Sequence, residues 1–317
     1  MKANMYAMAM AVTSDAVEIV ATDSTGRLFR WDRVGETLLA GPVPLVPHTI
    51  WGMVLTPDDR EVVTASSDGM VGRWDRLTGL SVAAPIAAHE GPVLALARTR
   101  DGDEIVSASQ DGTVRRWQRS TGAPLGEPLR GHTGTVQAVA VTPDDEEIVS
   151  GGVDGTVRRW DRTSGTPIGG PLLGHGGPAQ VLSAGSAGRR FASGGIDGTV
   201  RRWDRDTGRQ VGGPLVTGSP VRSLVLTADG EIIAGCADGT LHRWDANGQL
   251  VGAVLQAHGD AIWAMATTPD ESELITAGWD TIILRWERIA GVPLRPARAE
   301  TRIESVPRME LRGSTPF

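Results

Sequence analysis

Short apolar–polar alternations recur along this chain, each broken by turn residues before it reaches ten positions. Val136-Gln-Ala-Val-Ala-Val-Thr alternates and carries β-branched residues, the pattern of a half-buried strand. Pro143-Asp-Asp-Glu follows as a turn, since Pro presets φ and Asp favours the reversal. Glu147-Ile-Val-Ser-Gly-Gly reads as a second strand and Thr156-Val-Arg-Arg-Trp160-Asp as a third. The Asp154-Gly155 pair between them predicts a tight hairpin of type I′, which requires positive φ at both central residues. Thr163-Ser-Gly165 then turns the chain into a short outer strand around residues 167–173. No window of useful length shows helical periodicity.

This four-strand unit repeats. Trp followed by Asp, Gln or Glu stands at 31, 74, 117, 160, 203, 244 and 286, at intervals of 43, 43, 43, 43, 41 and 42 residues. A period of roughly 40–45 residues with about four strands per unit is the spacing of propeller blades. The expectation is an all-β, seven-bladed β-propeller with about four antiparallel strands per blade. Residues 1–300 then form one domain, and 301–317 a patternless, mixed-charge tail expected to be mobile. Only about four residues precede the first strand, too few for a strand of typical length, whereas Gly291-Val-Pro-Leu294 aligns with Gly165-Thr-Pro-Ile168. The predicted ring therefore closes without an N-terminal strand exchange, blade seven being completed by the C-terminal segment and blade-to-blade packing alone sealing the circle.

Gly131-His132, Gly174-His175, five Asp-Gly turns and five intact Trp-Asp pairs carry a resemblance to the Trp-Asp (WD) repeat β-propeller family, in its bacterial-type seven-repeat form, over about residues 5–300. The resemblance implies a hydrogen-bonded quartet of Asp, His, Ser or Thr, and Trp in each blade. Blade two offers Asp68, His48, Thr64 and Trp74; blade three Asp111, His89, Ser107 and Trp117. Blade four offers Asp154, His132, Ser150 and Trp160, and blade five Asp197, His175, Ser193 and Trp203. Blade seven offers Asp280, His258, Thr276 and Trp286. Blade one departs, with Met5, Ala21 and Thr25 in place of His, Ser and Asp. Blade six lacks the His and has Ala234 for the Ser, though Asp238 and Trp244 remain.

Composition narrows the function classes. Apolar residues are 40% and charged residues 22%, the balance of an ordinary globular chain, and no run approaches the roughly 20 apolar residues of a membrane helix. Net charge is −7, from 38 acidic against 31 basic residues, so nucleic acid is not an expected partner. The apolar stretch 5–12 aligns with internal strands and is assigned to the fold, which makes cytoplasmic the expected location. Cys236, the sole cysteine, lies in a predicted strand and reads as an inert buried thiol. His48, His89, His132 and His175 recur at 41 or 43 residues on successive blades ~10 Å apart, so they cannot converge on one ion, and no metal or cofactor is expected. His242 stands apart on a third strand. No Gly-rich phosphate loop, nucleophile elbow or Cys-His pair is visible, so no catalytic residue is nominated.

Two features exceed the repeat frame. Arg precedes the repeat Trp in all seven units: Arg30, Arg73, Arg116, Arg159, Arg202, Arg243 and Arg285. A buried guanidinium needs a partner, and strand alternation places the Asp two residues on along the same face, so Arg159–Asp161 is the expected type of pair. The functional alternative is an anion-binding ring. Three Trp residues, Trp51, Trp263 and Trp279, are also left over from the repeat. Trp51 and Trp263 fall at one first-strand position, occupied in the other blades by Met8, Leu94, Gln137, Gln180 and Arg222. By the resemblance these positions open on the narrow face around the central channel, where partners dock, with Tyr6 and Trp279 beside them and Met10, Met53 and Met265 nearby. The expectation is an interaction scaffold binding a protein or peptide through Tyr6, Met8, Trp51, Leu94, Trp263 and Trp279. Three Trp burying ~600 Å² would contribute ~15 kcal/mol gross, enough to offset an association cost of ~4–15 kcal/mol. The alternative is an enzyme or small-molecule binder with an aromatic pocket at the channel mouth.

Overall fold

A computed structural model describes residues 6–185, 188–288 and 291–294. Among them the strands form seven antiparallel sheets, each ordered by sequence, and no helix occurs. The innermost strands are Ala7–Val12, Ile50–Leu55, Val93–Arg98, Val136–Val141, Ala179–Ala184, Val221–Leu226 and Ile262–Thr267. Each touches the innermost strand of both neighbouring blades, so the seven line a closed ring. The expected tail 301–317 lies outside the described residues, as does Met5.

Blade four shows how the local sequence makes the sheet. Val136–Val141 pairs with Glu147–Gly152, which pairs with Val157–Asp161. The hairpin between the second and third strands differs from the expected type I′ turn. Gly155 N–H bonds the Gly152 carbonyl at 3.2 Å, and within the turn Gly155 alone has positive φ, at 73°. That is a type I turn followed by a left-handed residue, which leaves Asp154 in an ordinary conformation and its carboxylate free to bond. The outer strand shrinks to single bridges, Trp160 with Pro167 and Val157 with Leu172. In five other blades it has only two residues, and such short edges give other chains little to pair with.

The core lies between blades, not within them. Val106, Ala108 and Val114 of blade three pack on Val136, Val139, Ile148 and Trp160 of blade four. The same packing joins the two ends: Ala7, Met10, Ile19 and Trp31 meet Ala264, Ile275, Ala277 and Ile283. Blade seven is completed by Val292–Pro293, and among the described residues no N-terminal strand joins its sheet. Closure is nevertheless not by packing alone, since Arg33 of blade one bonds Glu273 of blade seven.

Candidate partner-binding surface

The Asp-His-Ser/Thr-Trp quartets tie the strands of each blade to the loop entering it. In blade four Trp160 Nε1–H donates to Ser150 Oγ at 2.9 Å, Ser150 meets His132 Nε2 at 2.8 Å, and His132 Nδ1 meets Asp154 at 3.1 Å. Blades three, five and seven repeat this chain through His89, His175 and His258. Thr113, Thr156 and Thr199, next to each turn Gly, add a hydroxyl bond to the Asp, a fifth member the repeat pattern contained but the quartet reading passed over.

Blade two departs from expectation. Trp74 donates to Thr64 at 2.9 Å, but the His48 side chain is 46% exposed, with Nε2 3.6 Å from Asp68. The Ser66 hydroxyl bonds Asp68 instead. Blades four, five and seven have Gly152, Gly195 and Gly278 at the Ser66 position, where an added Cβ would come within 2.6 Å of the His ring. In blade one Asp23 does the work of the missing turn Asp, binding Thr25 and Arg27, and Trp31 stacks on Phe29 at 5.6 Å. In blade six Trp244 stacks on His242 at 5.5 Å, which gives that histidine a packing role.

These quartets predict an acid-sensitive fold. Burial holds His89, His132, His175 and His258 below the usual imidazole value of 6.5, outweighing the upward pull of their Asp partners. Burial pushes Asp154 up, but bonds from the Thr133 N–H and Thr156 outweigh it and bring it to about 2; Asp111 and Asp197 are likewise lowered. A depressed folded pKa means the unfolded chain binds the extra proton, so stability is full above the unfolded value and is lost as pH falls. Melting temperature is expected to be level above pH 7, to fall below about 6.5 as the histidines enter their window, and to fall again below about 4 as the carboxylates do. Calorimetric scans from pH 8 to 3 check this; an unchanged Tm between pH 7 and 5 would contradict it.

The seven arginines before the repeat Trp pair differently from the expected Arg159–Asp161. Arg159 forms a two-pronged bond to Glu147, at 2.8 and 2.9 Å, while the Asp161 carboxylate caps its own turn at Ser164. Glu147 lies opposite Asp161 in the register and so diagonal to Arg159, within reach of a long side chain. A second arginine two residues after the next blade's Trp, Arg205, reaches the same Glu147 at 3.2 Å. The resulting Arg–Glu–Arg bridges recur at Glu18 (Arg30, Arg76), Glu61 (Arg73, Arg119), Glu231 (Arg243, Arg288) and Glu273 (Arg285, Arg33), and in looser form at Glu104, which pairs with Arg162 while Arg116 stays 3.8 Å away and donates to the Leu125 and Thr163 carbonyls. They stitch blade to blade at the strand ends opposite the quartet turns, and at these six junctions the cations are neutralised, so no ring of free positive charge exists.

At the other end of the strands, one cavity of about 430 Å³ opens at the channel mouth. Its wall contains the equivalent first-strand residues of all seven blades: Met8, Trp51, Leu94, Gln137, Gln180, Arg222 and Trp263. Trp51, Leu94 and Trp263 are half-buried, and Met8 is buried at 5% exposure, so it shapes the wall more than it reaches out. Trp263 stacks on Trp279 at 4.6 Å, and Tyr6, 54% exposed, meets Trp279 edge-on at 6.4 Å. Next to this group, Arg222 of blade six lies over the Trp263 ring at 5.2 Å and donates to Gln180 at 3.0 Å. Met10 and Met53 are not at this surface; both are buried in the core, and Met265 packs against it. Cys236 is buried, and burial pushes its thiol up to about 11. Among the described residues no group of three His, Cys, Asp or Glu is placed to hold a metal ion.

A closed ring of seven repeated blades, tied by internal quartets and open at a channel mouth, defines a repeat-built β-propeller. The description "WD domain, G-beta repeat" matches residues 81–118, 122–161, 167–204, 212–245 and 249–287, more than half of the chain, and the protein belongs to that family. The matched segments carry the third strands of blades three to seven; blade one and the three inner strands of blade two, neither blade with a closed quartet, fall outside them. A search of curated proteins finds no match. Propellers of this family are typically non-catalytic scaffolds that bind protein partners.

Proposed function

We propose that this propeller is a non-catalytic scaffold of a bacterial cytoplasm and that it takes a protein or peptide partner on its narrow face, over blades seven, one and two. The observation that carries this reading is the group of touching rings Trp263, Trp279 and Tyr6 at the channel mouth, with Trp51 on the wall of the same cavity. Large aromatic rings left partly open beside a cavity are the usual anchors of a protein interface. Gln137, Gln180 and Arg222 add a polar stretch to the cavity wall, which begins at Arg222 over the Trp263 ring and orients the bound partner. Trp51→Ala and Trp263→Ala are expected to keep Tm within about 3 °C of wild type, because neither ring is buried, while capture of the partner from cells of the source organism falls at least tenfold. A drop in Tm matching that of a buried Trp would assign both residues to the framework instead.

A second reading is favoured by the cavity itself. Its 430 Å³ falls within the size of small-molecule sites, and Arg222 and Gln180 converge on it. Binding of a small aromatic or anionic compound that survives Trp279→Ala but not Arg222→Ala would support this reading over the scaffold.

A further inference from the structure

Six of the seven blade junctions carry a glutamate between two arginines, and the junction of blades five and six inverts the pattern. Where the others have Glu at the start of the second strand, blade five has Arg190; where they have Arg two residues after Trp, blade six has Ala246. The arginine before the Trp, Arg202, is still there and is only 6% exposed. Its Nε–H has no hydrogen-bond partner. Its Nη1 donates to the Ala246 carbonyl at 3.0 Å, and Arg190 Nη1 approaches the same oxygen at 3.3 Å. Among the described residues neither arginine has an ion pair, so two guanidinium groups share one neutral carbonyl.

The junction is also open. A cavity of about 370 Å³ lies against Arg190 and Arg202, floored by Phe191 and Ile232. Of the two acids on its wall, Asp229 pairs with Arg288 at 3.1 Å, while Asp204 accepts the Thr207 N–H and hydroxyl and feels Arg189 and Arg190 through space without an ion pair to either. Burial, and then the positive charge of Arg190, lower the pKa of Arg202, and the negative charge of Asp245 offsets them only in part. We propose that this junction binds an external oxyanion, a carboxylate or phosphate group of a small ligand, seated between Arg202 and Arg190 where a glutamate sits in the other six. The planar fork of Arg matches either group with two parallel hydrogen bonds. The site is independent of the aromatic mouth, being at the opposite ends of the strands.

The test compares the wild type with the double variant Arg190→Glu, Ala246→Arg, which copies the other junctions and so fills the site from within. Thermal melts are run in sodium phosphate, sodium malonate and sodium chloride at equal ionic strength and pH. The wild type is expected to gain about 4 °C in Tm over chloride at a hundredfold excess of ligand over Kd. A response to phosphate alone, to malonate alone or to both identifies the group taken. The double variant is expected to melt higher than wild type in chloride and to show no anion-specific gain. Equal gains in both proteins, or no gain over chloride in the wild type, would overturn the proposal.

Discussion

Trp160→Ala is expected to cost about 3–5 kcal/mol of stability, the range for removing a large aromatic from a packed core. Trp160 is 2% exposed, sits in the cluster joining blades three and four, and donates to Ser150 at 2.9 Å. Truncation opens a cavity at the junction and leaves Ser150 with His132 as its remaining quartet partner. Denaturant titration measures the loss directly. A midpoint close to that of Trp51→Ala would show that the blade junction relaxes around the gap, against the reading of the core as an inter-blade layer. The contrast between the two tryptophans is the informative part, since they differ in burial and in hydrogen bonding and not in chemistry.

The second large effect is expected at Glu147. Glu147→Ala strips the carboxylate from Arg159 and Arg205, whose side chains are 7% and 9% exposed, and uncompensated buried charge typically costs about 3–5 kcal/mol. Arg205 keeps Asp144 at 2.7 Å, which places the expected loss toward 3 kcal/mol. Adding Arg159→Leu to Glu147→Ala should recover part of it, because a buried ion pair exchanged for apolar groups is often near neutral. Equilibrium unfolding of the single and double variants supplies the comparison. If the double variant is no more stable than Glu147→Ala, stranded charge on Arg159 is not the source of the loss.

Much of the candidate surface was legible because it repeats. Alignment of the seven units put Trp51 and Trp263 with Met8, Leu94, Gln137, Gln180 and Arg222, and these seven residues line one cavity. The depth of each side chain was not legible: the pattern set Met10 and Met53 near the aromatic sector, and the fold buries both methionines between blades. Inward and outward faces alternate along a strand, but in a propeller both faces of every blade meet a neighbour, so alternation does not separate core from surface. The quartets divide the same way. Four close as the repeat implies, while His48 stays outside its own and Ser66 bonds Asp68 in its place; blade three also has a serine there, Ser109, which turns to the Gly91 and Pro92 carbonyls and leaves Asp111 to His89.

The sequence by itself determined the seven strand-and-turn units, their order, and the closing of blade seven by its own fourth strand, because each of these rests on contacts within about 45 residues and on local backbone preferences. It also marked the arginines as needing partners. Only the tertiary structure decided which partners. Arg76, Arg119 and Arg205 meet glutamates 58 residues earlier in the chain, across a blade junction, at a distance no strand pattern encodes. The same step exposes the exception. Arg190 and Ala246 look like ordinary surface positions in a linear reading, and only the packing of blade five against blade six brings them to one cavity with the buried Arg202. Charge balance at a buried junction is a property of two packed sheets, so it is settled by their packing and not by either strand alone.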